Sequence, residues 1–199
     1  MKKRAFLAVV ASAALAACSR TPPAPPFQAV DLTGADYAKS FSLPDAQGRI
    51  RTLAEFKGKA VAIFFGYTQC PDVCPTTLAE IADIKRQLGS EGDRLQAIFV
   101  SVDPERDTPE ILSAYMANFD PSFIALRPAN TEQLNAVTKD FKVYYKRVDG
   151  SAPGSYTMDH SAATYLYDPQ GRLRLYSKYG TAPAAVLADI RLLLQSQAA

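Results

Sequence analysis

The sequence predicts one α/β domain, in which the strands of a central sheet alternate along the chain with covering helices. The continuous apolar run Ala60–Phe65 has the pattern of a central buried strand, and Leu95–Val102 reads as a second strand. Each of the two is followed by a segment whose apolar residues recur at helical spacing. With 199 residues, 48% of them hydrophobic, the chain is long enough for one domain with a substantial core and too short for two.

The N-terminal part of this domain is expected to be a hairpin. Phe41–Thr52 reads as two short strands around a turn at Gln47–Gly48, and Leu53–Phe56 as a helical turn. The first long helix follows the first buried strand and has Pro75 in its first turn, where a missing N–H costs nothing.

The second half of the chain continues the alternation. The predicted elements are a helix from Pro109 capped by Asp107 or Thr108, a strand at Phe123–Leu126, a helix at Thr131–Phe141, an irregular surface loop at Tyr144–Met158, a hairpin of Ala163–Tyr167 and Leu173–Tyr176, and a closing helix at Pro183–Gln195. In the helix from Pro109, the side chains expected to face inward are Ile111, Leu112, Tyr115 and Met116.

Residues 1–17 have the features of a bacterial lipoprotein signal peptide. A basic Lys-Lys-Arg at residues 2–4 precedes 13 apolar or small residues, too few to span a membrane as a helix. The run ends in Leu-Ala-Ala-Cys, which has the order of a lipobox, so Cys18 is predicted to be acylated and to become the first residue of the mature chain. The alternative is an ordinary secretory signal in which Cys18 has no role.

The segment after Cys18 is predicted to be a tether. Residues 19–26 read SRTPPAPP, and this density of proline favours an extended chain. We therefore expect a lipidated Cys18 and Pro-rich tether over residues 18–35 and the folded domain over 36–197. Together these features predict an exported, periplasm-facing protein held on a membrane by its lipid anchor, in either the inner or the outer membrane.

Charge excludes one class of partner. Of the 22 Lys and Arg residues, three lie in the leader, so 19 stand against 20 Asp and Glu in the mature chain. Neither a strong positive charge nor a Gly-rich phosphate loop is present, and we expect no nucleic-acid partner.

Chemistry concentrates in the two remaining cysteines, Cys70 and Cys74. A disulfide closing so short a loop constrains the unfolded chain little, which favours redox or metal chemistry over a structural role. The pair lies between a buried strand and a helix, where the backbone N–H groups and the helix dipole favour a thiolate. A thiolate is both a nucleophile and a metal ligand, and an i, i+4 pair permits chelation as well as disulfide formation.

The single histidine, His160, is the candidate third donor. It precedes the predicted strand Ala163–Tyr167, whose start lies beside the Cys loop if both strands are central in one sheet. Asp159 is a candidate acceptor for the imidazole N–H. Two thiolates and an imidazole suit Cu(I) and can hold Cu(II), with Zn(II) as a competitor. The alternative is a histidine that merely packs in the core or lies on the surface.

Three separated motifs together resemble the Sco (SenC) family. They are Gly66–Pro75 (GYTQCPDVCP), Val102–Thr108 (VDPERDT) and Asp159–Ser161 (DHS), within a similarity that runs from about Phe41 to Leu194. The resemblance implies a thioredoxin-like central mixed sheet flanked by helices, with an N-terminal hairpin extension. It also implies a membrane-tethered copper protein that helps to assemble a copper centre of respiratory cytochrome c oxidase, with Cys70, Cys74 and His160 as copper ligands.

Two functions from different classes use these residues. The first is a copper chaperone that delivers copper to an oxidase subunit with a copper site. The second is a thiol–disulfide reductase, with Cys70 and Cys74 as a redox-active catalytic pair that keeps the cysteines of that site, or of another exported protein, reduced. Copper binding needs His160 and dithiol exchange does not, so we favour the chaperone. Further candidate partners are another copper chaperone or a thiol reductase.

The resemblance and the leader point to different membranes. Ser19 follows the predicted lipidated cysteine in place of the Asp that often marks inner-membrane retention, which favours the outer membrane. The expected partner oxidase lies in the inner membrane, and the sequence leaves both locations open.

Overall fold

The structure is a computed structural model and describes residues 27–196. The predicted signal peptide, Cys18 and the first half of the predicted tether, up to residue 26, lie outside the described residues. The ten strands of the described part are β1 (Val30–Asp31), β2 (Ser42–Pro44), β3 (Ile50–Thr52), β4 (Ala60–Gly66), β5 (Leu95–Ser101), β6 (Ile124–Leu126), β7 (Tyr145–Asp149), β8 (Tyr156–His160), β9 (Thr164–Tyr167) and β10 (Leu173–Ser177). The four α-helices are α1 (Val73–Gln87), α2 (Pro109–Ala117), α3 (Thr131–Asp140) and α4 (Pro183–Gln195).

A mixed six-stranded sheet forms the centre of the domain, as predicted. Its order is β1-β10-β9-β4-β5-β6, with β4, β5 and β6 parallel and β9 antiparallel to β4. Every residue of β4 and β5 is buried. Their predominantly apolar sequence follows from the cover on both faces of the sheet.

Two hydrophobic cores lie on the two faces of this sheet. On one face, α1, α2 and α4 pack through residues such as Leu78, Leu112 and Ile190. On the other, α3 and the N-terminal β2–β3 hairpin pack through Leu134 and Leu43. The predicted hairpin extension therefore covers the sheet rather than standing apart from it.

Helix α2 begins as predicted, and three of its four expected inward residues, Leu112, Tyr115 and Met116, pack against the core. Thr108 is its N-cap and accepts a hydrogen bond from the Ile111 N–H at 3.4 Å. The prediction that Ile111 faces inward is wrong, because its side chain is 43% exposed. Leu112 and Met116, one helical turn apart, are the buried pair, and Ile111 lies about 100° away from Leu112 around the helix axis.

The segment predicted as an irregular loop, Tyr144–Met158, is largely a second hairpin. Strands β7 and β8 pair antiparallel from Tyr145 opposite His160 to Asp149 opposite Tyr156, and only residues 150–155 connect them. The outward side chains of β7 are polar and exposed, so the strand lacks the apolar alternation that would have revealed it.

The sheet also extends towards the N-terminus beyond the expected domain start. Strand β1 pairs with β10 within the segment that composition assigned to the tether. Just before β1, the buried Asp189 carboxylate of α4 accepts hydrogen bonds from the backbone N–H groups of Gln28 and Ala29, at 2.9 and 2.8 Å. Among residues 27–196, no helix has the length and apolar character to cross a membrane.

Candidate metal centre

The two cysteines lie where β4 passes into α1. Cys70 belongs to the connecting loop and is partly exposed, whereas Cys74 is the second residue of α1 and is fully buried. The backbone N–H of Cys74 points at the Cys70 sulfur, with 3.4 Å between N and Sγ. Both side chains are free thiols, as a site that binds metal or exchanges electrons requires.

Gly66 makes room for the buried sulfur. A Cβ on Gly66 would lie 2.7 Å from Cys74 Sγ and 2.8 Å from a ring carbon of Phe99, closer than atoms can approach. Sequence reasoning did not single out this glycine. The available signal was a glycine directly after an all-apolar strand and four residues before the first cysteine.

His160 reaches the same place as the last residue of β8. Its Nε2 lies 3.5 Å from Cys74 Sγ, and its Nδ1 lies 3.0 Å from the carbonyl oxygen of Ser161. A carbonyl oxygen only accepts, so Nδ1 carries the proton of that contact and Nε2 faces the sulfurs. The prediction that Asp159 accepts the imidazole proton is wrong, because the Ser161 carbonyl is the acceptor and Asp159 is exposed.

Two aromatic rings hold the imidazole in place. Phe64 and Tyr67 pack edge-on against it, with ring centroids 6.1 and 5.8 Å away. The hydrogen bond to Ser161 and these two contacts together fix the tilt of the ring, so Nε2 stays aimed at the sulfurs.

The structure brings Cys70, Cys74 and His160 together. Their ligand atoms all lie within 4.8 Å of one another, although His160 follows Cys74 by 86 positions. Strand pairing explains the meeting, because Phe64 of β4 lies opposite Thr164 of β9. The end of β4 and the start of β9 therefore share one edge of the sheet.

The two thiols have opposite acidities. The pKa of Cys70 is lowered to about 4, chiefly by a hydrogen bond from the Cys74 thiol, against the effect of burial and with help from His160 and from the backbone N–H groups of Cys74 and Asp72. The pKa of Cys74 is raised well above its ordinary value, because its proton is donated to Cys70 and its sulfur is buried. At neutral pH the pair therefore carries one thiolate, on the more exposed sulfur, and one proton.

A buried carboxylate holds the Cys loop in place. Asp107 accepts hydrogen bonds from the backbone N–H and the hydroxyl of Thr68, with the hydroxyl at 2.6 Å, and from the Ser101 hydroxyl at 2.6 Å. Burial raises the pKa of Asp107 in spite of these donors. The sequence suggested Asp107 only as a helix cap, a role that Thr108 has.

Asp103 and Arg106 form an ion pair in the same loop. Arg106 Nε donates to the Asp103 carboxylate within the loop that follows β5. The same guanidinium donates to the side-chain oxygen of Gln69, the residue before Cys70. This loop therefore touches the Cys loop through side chains at two points, Asp107 and Arg106.

Comparison with known proteins places this site in a family. A family model described as SCO1/SenC matches residues 30–195. The chain belongs to the SCO1/SenC family. Its sheet, covering helices and N-terminal hairpin are the thioredoxin-like fold of that family.

The similar proteins come from bacteria and from mitochondria. A SCO2-like protein of Rickettsia felis is 37% identical over 152 residues, 76% of this chain and 74% of the relative. The mitochondrial SCO2 homolog of Bos taurus is 35% identical over 153 residues, 76% of this chain and 57% of that protein. The solved structure of Bradyrhizobium japonicum ScoI with copper bound is 42% identical, covers 76% of this chain and 96% of its own, and has a TM-score of 0.69.

Proposed function

We propose that this member of the SCO1/SenC family is a membrane-tethered copper chaperone. It binds copper through Cys70, Cys74 and His160 and delivers it to a copper centre of a respiratory cytochrome c oxidase. The observation that carries the proposal is the convergence of two sulfurs and one imidazole nitrogen within 4.8 Å. The copper bound in the similar ScoI structure supports the choice of metal.

The donor set fits copper as a cargo. Thiolates are soft ligands that suit Cu(I), and an added imidazole provides the nitrogen that Cu(II) prefers. The cluster offers three donors, whereas a structural zinc site uses four. Two sulfurs and one nitrogen can also hold zinc with water as a fourth ligand, so the choice of copper rests on the copper bound in the similar ScoI structure.

The unequal burial of the sulfurs suits a protein that accepts and releases metal. Cys70 is partly exposed and carries the thiolate, so it can meet an incoming ion or a partner's ligand. Cys74 is buried and must lose its proton when it ligates the metal. The imidazole of His160 is held through Nδ1 by the Ser161 carbonyl, with Nε2 turned towards the sulfurs.

The anchoring part of the proposal rests on the sequence. Acylation of Cys18 and an extended segment after it would hold the domain near the periplasmic face of a membrane, within reach of an oxidase subunit with a copper site. Another copper chaperone or a thiol reductase would load or reduce the site.

One observation favours a second function, that of a thiol–disulfide reductase. A thiolate at Cys70 with a protonated Cys74 beside it is the arrangement of an attacking thiol and its resolving partner. Attack by Cys70 on a target disulfide would give a mixed disulfide, and Cys74 would then release the target as a dithiol. The Cys70–Cys74 disulfide left behind would need a reductant before another turnover.

The proposal is tested by metal transfer. The reduced domain is loaded with Cu(I) and mixed with the purified apo copper domain of an oxidase subunit, after which copper on each protein is measured. We expect one copper per chain, its loss to the recipient, and no loading of the Cys70→Ser variant or of the oxidised protein. Failure of the wild-type protein to bind copper, combined with rapid reduction of a disulfide peptide that His160→Ala leaves unchanged, would favour the reductase.

A further inference from the structure

The strand that carries His160 does not belong to the central sheet. Strands β7 and β8 pair only with each other, so no sheet hydrogen bond fixes this hairpin against the Cys loop. Side chains must hold it there. Tyr145 at its base donates to Asn135 of α3, and the buried Met158 packs into the core.

Arg106 joins the hairpin to the Cys loop directly. Its Nη1 donates to Gln69 Oε1 at 3.0 Å and to the carbonyl oxygen of Tyr156, the first residue of β8, at 2.8 Å. The guanidinium carbon lies 3.5 Å from the Tyr156 ring centroid and 5.6 Å from that of Tyr67. Asp103, itself buried, holds the guanidinium in this orientation through Nε.

Three residues that Arg106 contacts are each connected to a donor residue, either along the chain or by packing. Gln69 precedes Cys70, Tyr67 packs against the imidazole of His160, and Tyr156 lies in the same five-residue strand as His160. The guanidinium itself touches neither a sulfur nor the imidazole. Arg106 therefore links the two segments that supply the donors, the Cys loop and the β7–β8 hairpin.

We propose that Arg106 is a positioning residue that holds the hairpin carrying His160 against the loop carrying Cys70, so that copper can bind all three donors together. This inference rests on the proposed copper function and extends it to a residue outside the donor set. Two thiolates on one loop and helix turn can hold Cu(I) without the hairpin, whereas Cu(II) needs the nitrogen that the hairpin brings. Loss of the Arg106 contacts therefore lowers the affinity for Cu(II) more than the affinity for Cu(I).

The first variant for the test is Arg106→Lys. Lysine keeps the positive charge but replaces a planar fork by a single ammonium, which cannot bridge Asp103, Gln69 and the Tyr156 carbonyl together. The matched control is Arg147→Lys, because Arg147 stacks on the same Tyr156 ring at 3.9 Å but forms its ion pair within the hairpin, with Asp149. The control removes a guanidinium from the ring and leaves the connection to the Cys loop intact.

Two readouts separate positioning from general loosening. We expect Arg106→Lys to lower the affinity for Cu(II) about tenfold, within the range for residues that orient metal ligands, and to change the affinity for Cu(I) less than about twofold. The thiolate-to-Cu(II) charge-transfer band and the nitrogen hyperfine pattern should change with it. In the metal-free protein, amide hydrogen exchange in β8 should become at least about tenfold faster, which corresponds to about 1.4 kcal/mol of lost protection.

Gln69→Ala is the second variant, for the case in which Arg106→Lys does not fold. It removes the hydrogen bond between Arg106 and Gln69 and keeps the ion pair between Arg106 and Asp103. The same changes in Cu(II) affinity, spectrum and β8 exchange should appear, but they should be smaller. A folded Arg106→Lys with wild-type Cu(II) affinity, spectrum and β8 exchange would overturn the inference, as would equal changes in Arg147→Lys. If the wild-type protein binds no copper, the proposed function fails. The exchange measurement on the metal-free protein then tests by itself whether Arg106 holds the hairpin against the Cys loop. Faster β8 exchange in Arg106→Lys would support this role, and unchanged exchange would contradict it.

Discussion

Replacement of Gly66 by alanine should damage the metal centre through a single methyl group. The new Cβ would lie 2.7 Å from Cys74 Sγ and 2.8 Å from Phe99, whereas ordinary contacts begin at about 3.4 Å. To reach that distance, the sulfur must move away from the new methyl group by about 0.7 Å and the Phe99 ring by about 0.6 Å. The backbone angles of Gly66 are not in the left-handed region, so the effect comes from crowding alone.

Two magnitudes follow from this displacement. Forcing a methyl group into a packed core costs about 1–3 kcal/mol of the free energy of unfolding. Metal–ligand distances tolerate deviations of only about 0.2 Å, so a sulfur displaced by several times that amount loses much of its bond to copper. We expect the affinity for Cu(I) to fall by about tenfold or more in Gly66→Ala, a loss in the range that changes near metal ligands produce.

The assay compares Gly66→Ala with Gly48→Ala by urea unfolding of the metal-free protein and by competition titration with a Cu(I) chelator. Gly48 lies in the β2–β3 turn with a φ of +75°, and nothing lies within 4 Å of its Cβ position. Its replacement therefore costs about 1–2 kcal/mol through backbone strain, without crowding any sulfur. A folded Gly66→Ala with wild-type copper affinity would refute the reasoning. An equal loss of copper affinity in Gly48→Ala would refute it as well.

Three further predictions test other parts of the structure. Alkylation of Cys70 by iodoacetamide should be nearly independent of pH between 6 and 8, because a pKa of about 4 leaves it fully ionised, while Cys74 stays unmodified by peptide mass mapping. A rate that rises about tenfold per pH unit, as for a free cysteine, would contradict the lowered pKa. Asp189→Asn should lower the free energy of unfolding by about 1–3 kcal/mol in a urea titration, because the buried carboxylate binds two backbone N–H groups, and an unchanged midpoint would remove that role. Cys18→Ser should abolish incorporation of labelled palmitate while Cys70→Ser retains it, and an unlabelled wild-type protein would end the lipobox prediction.

The central sheet and the meeting of the donors could be predicted because both follow from chain order. The apolar run that became β4 is long and unbroken, β5 is mostly apolar, and strands of this kind are typical of a sheet covered by helices on both faces. Once β4 and β9 are antiparallel neighbours, the loop after β4 and the segment before β9 must lie at the same end of the two strands. Cys74 and His160 could therefore be placed together without knowledge of any contact between them.

The β7–β8 hairpin could not be predicted because its sequence lacks the usual signal. Its exposed strand consists mostly of polar residues, and its place is set by the contacts of Arg106 and Tyr145 with distant segments. Periodicity reports which face of a strand is buried, and β7 has no buried residue, so the short alternation around the buried Met158 of β8 was the one signal in the hairpin.

The supporting groups of the site escaped sequence reasoning for a related reason. The acceptor for His160 is the backbone carbonyl of Ser161, which no side-chain pattern can indicate. Gly66 matters through the space it leaves for a sulfur eight positions away, and Asp107 through a hydrogen bond to Thr68, 39 positions away. Such roles depend on distances between segments, which the order of residues alone does not contain.

The central claim is that Cys70, Cys74 and His160 form one copper site, and X-ray absorption of the copper-loaded wild-type protein beside His160→Ala tests it most directly. For Cu(II), the account predicts two sulfurs and an imidazole nitrogen around the metal in the wild-type protein. In the variant it predicts loss of the imidazole signal, with Cu(I) still held by two sulfurs. Cu(II) spectra that show no imidazole nitrogen in the wild-type protein, and that are identical for the two proteins, would contradict the account and remove His160 from the site.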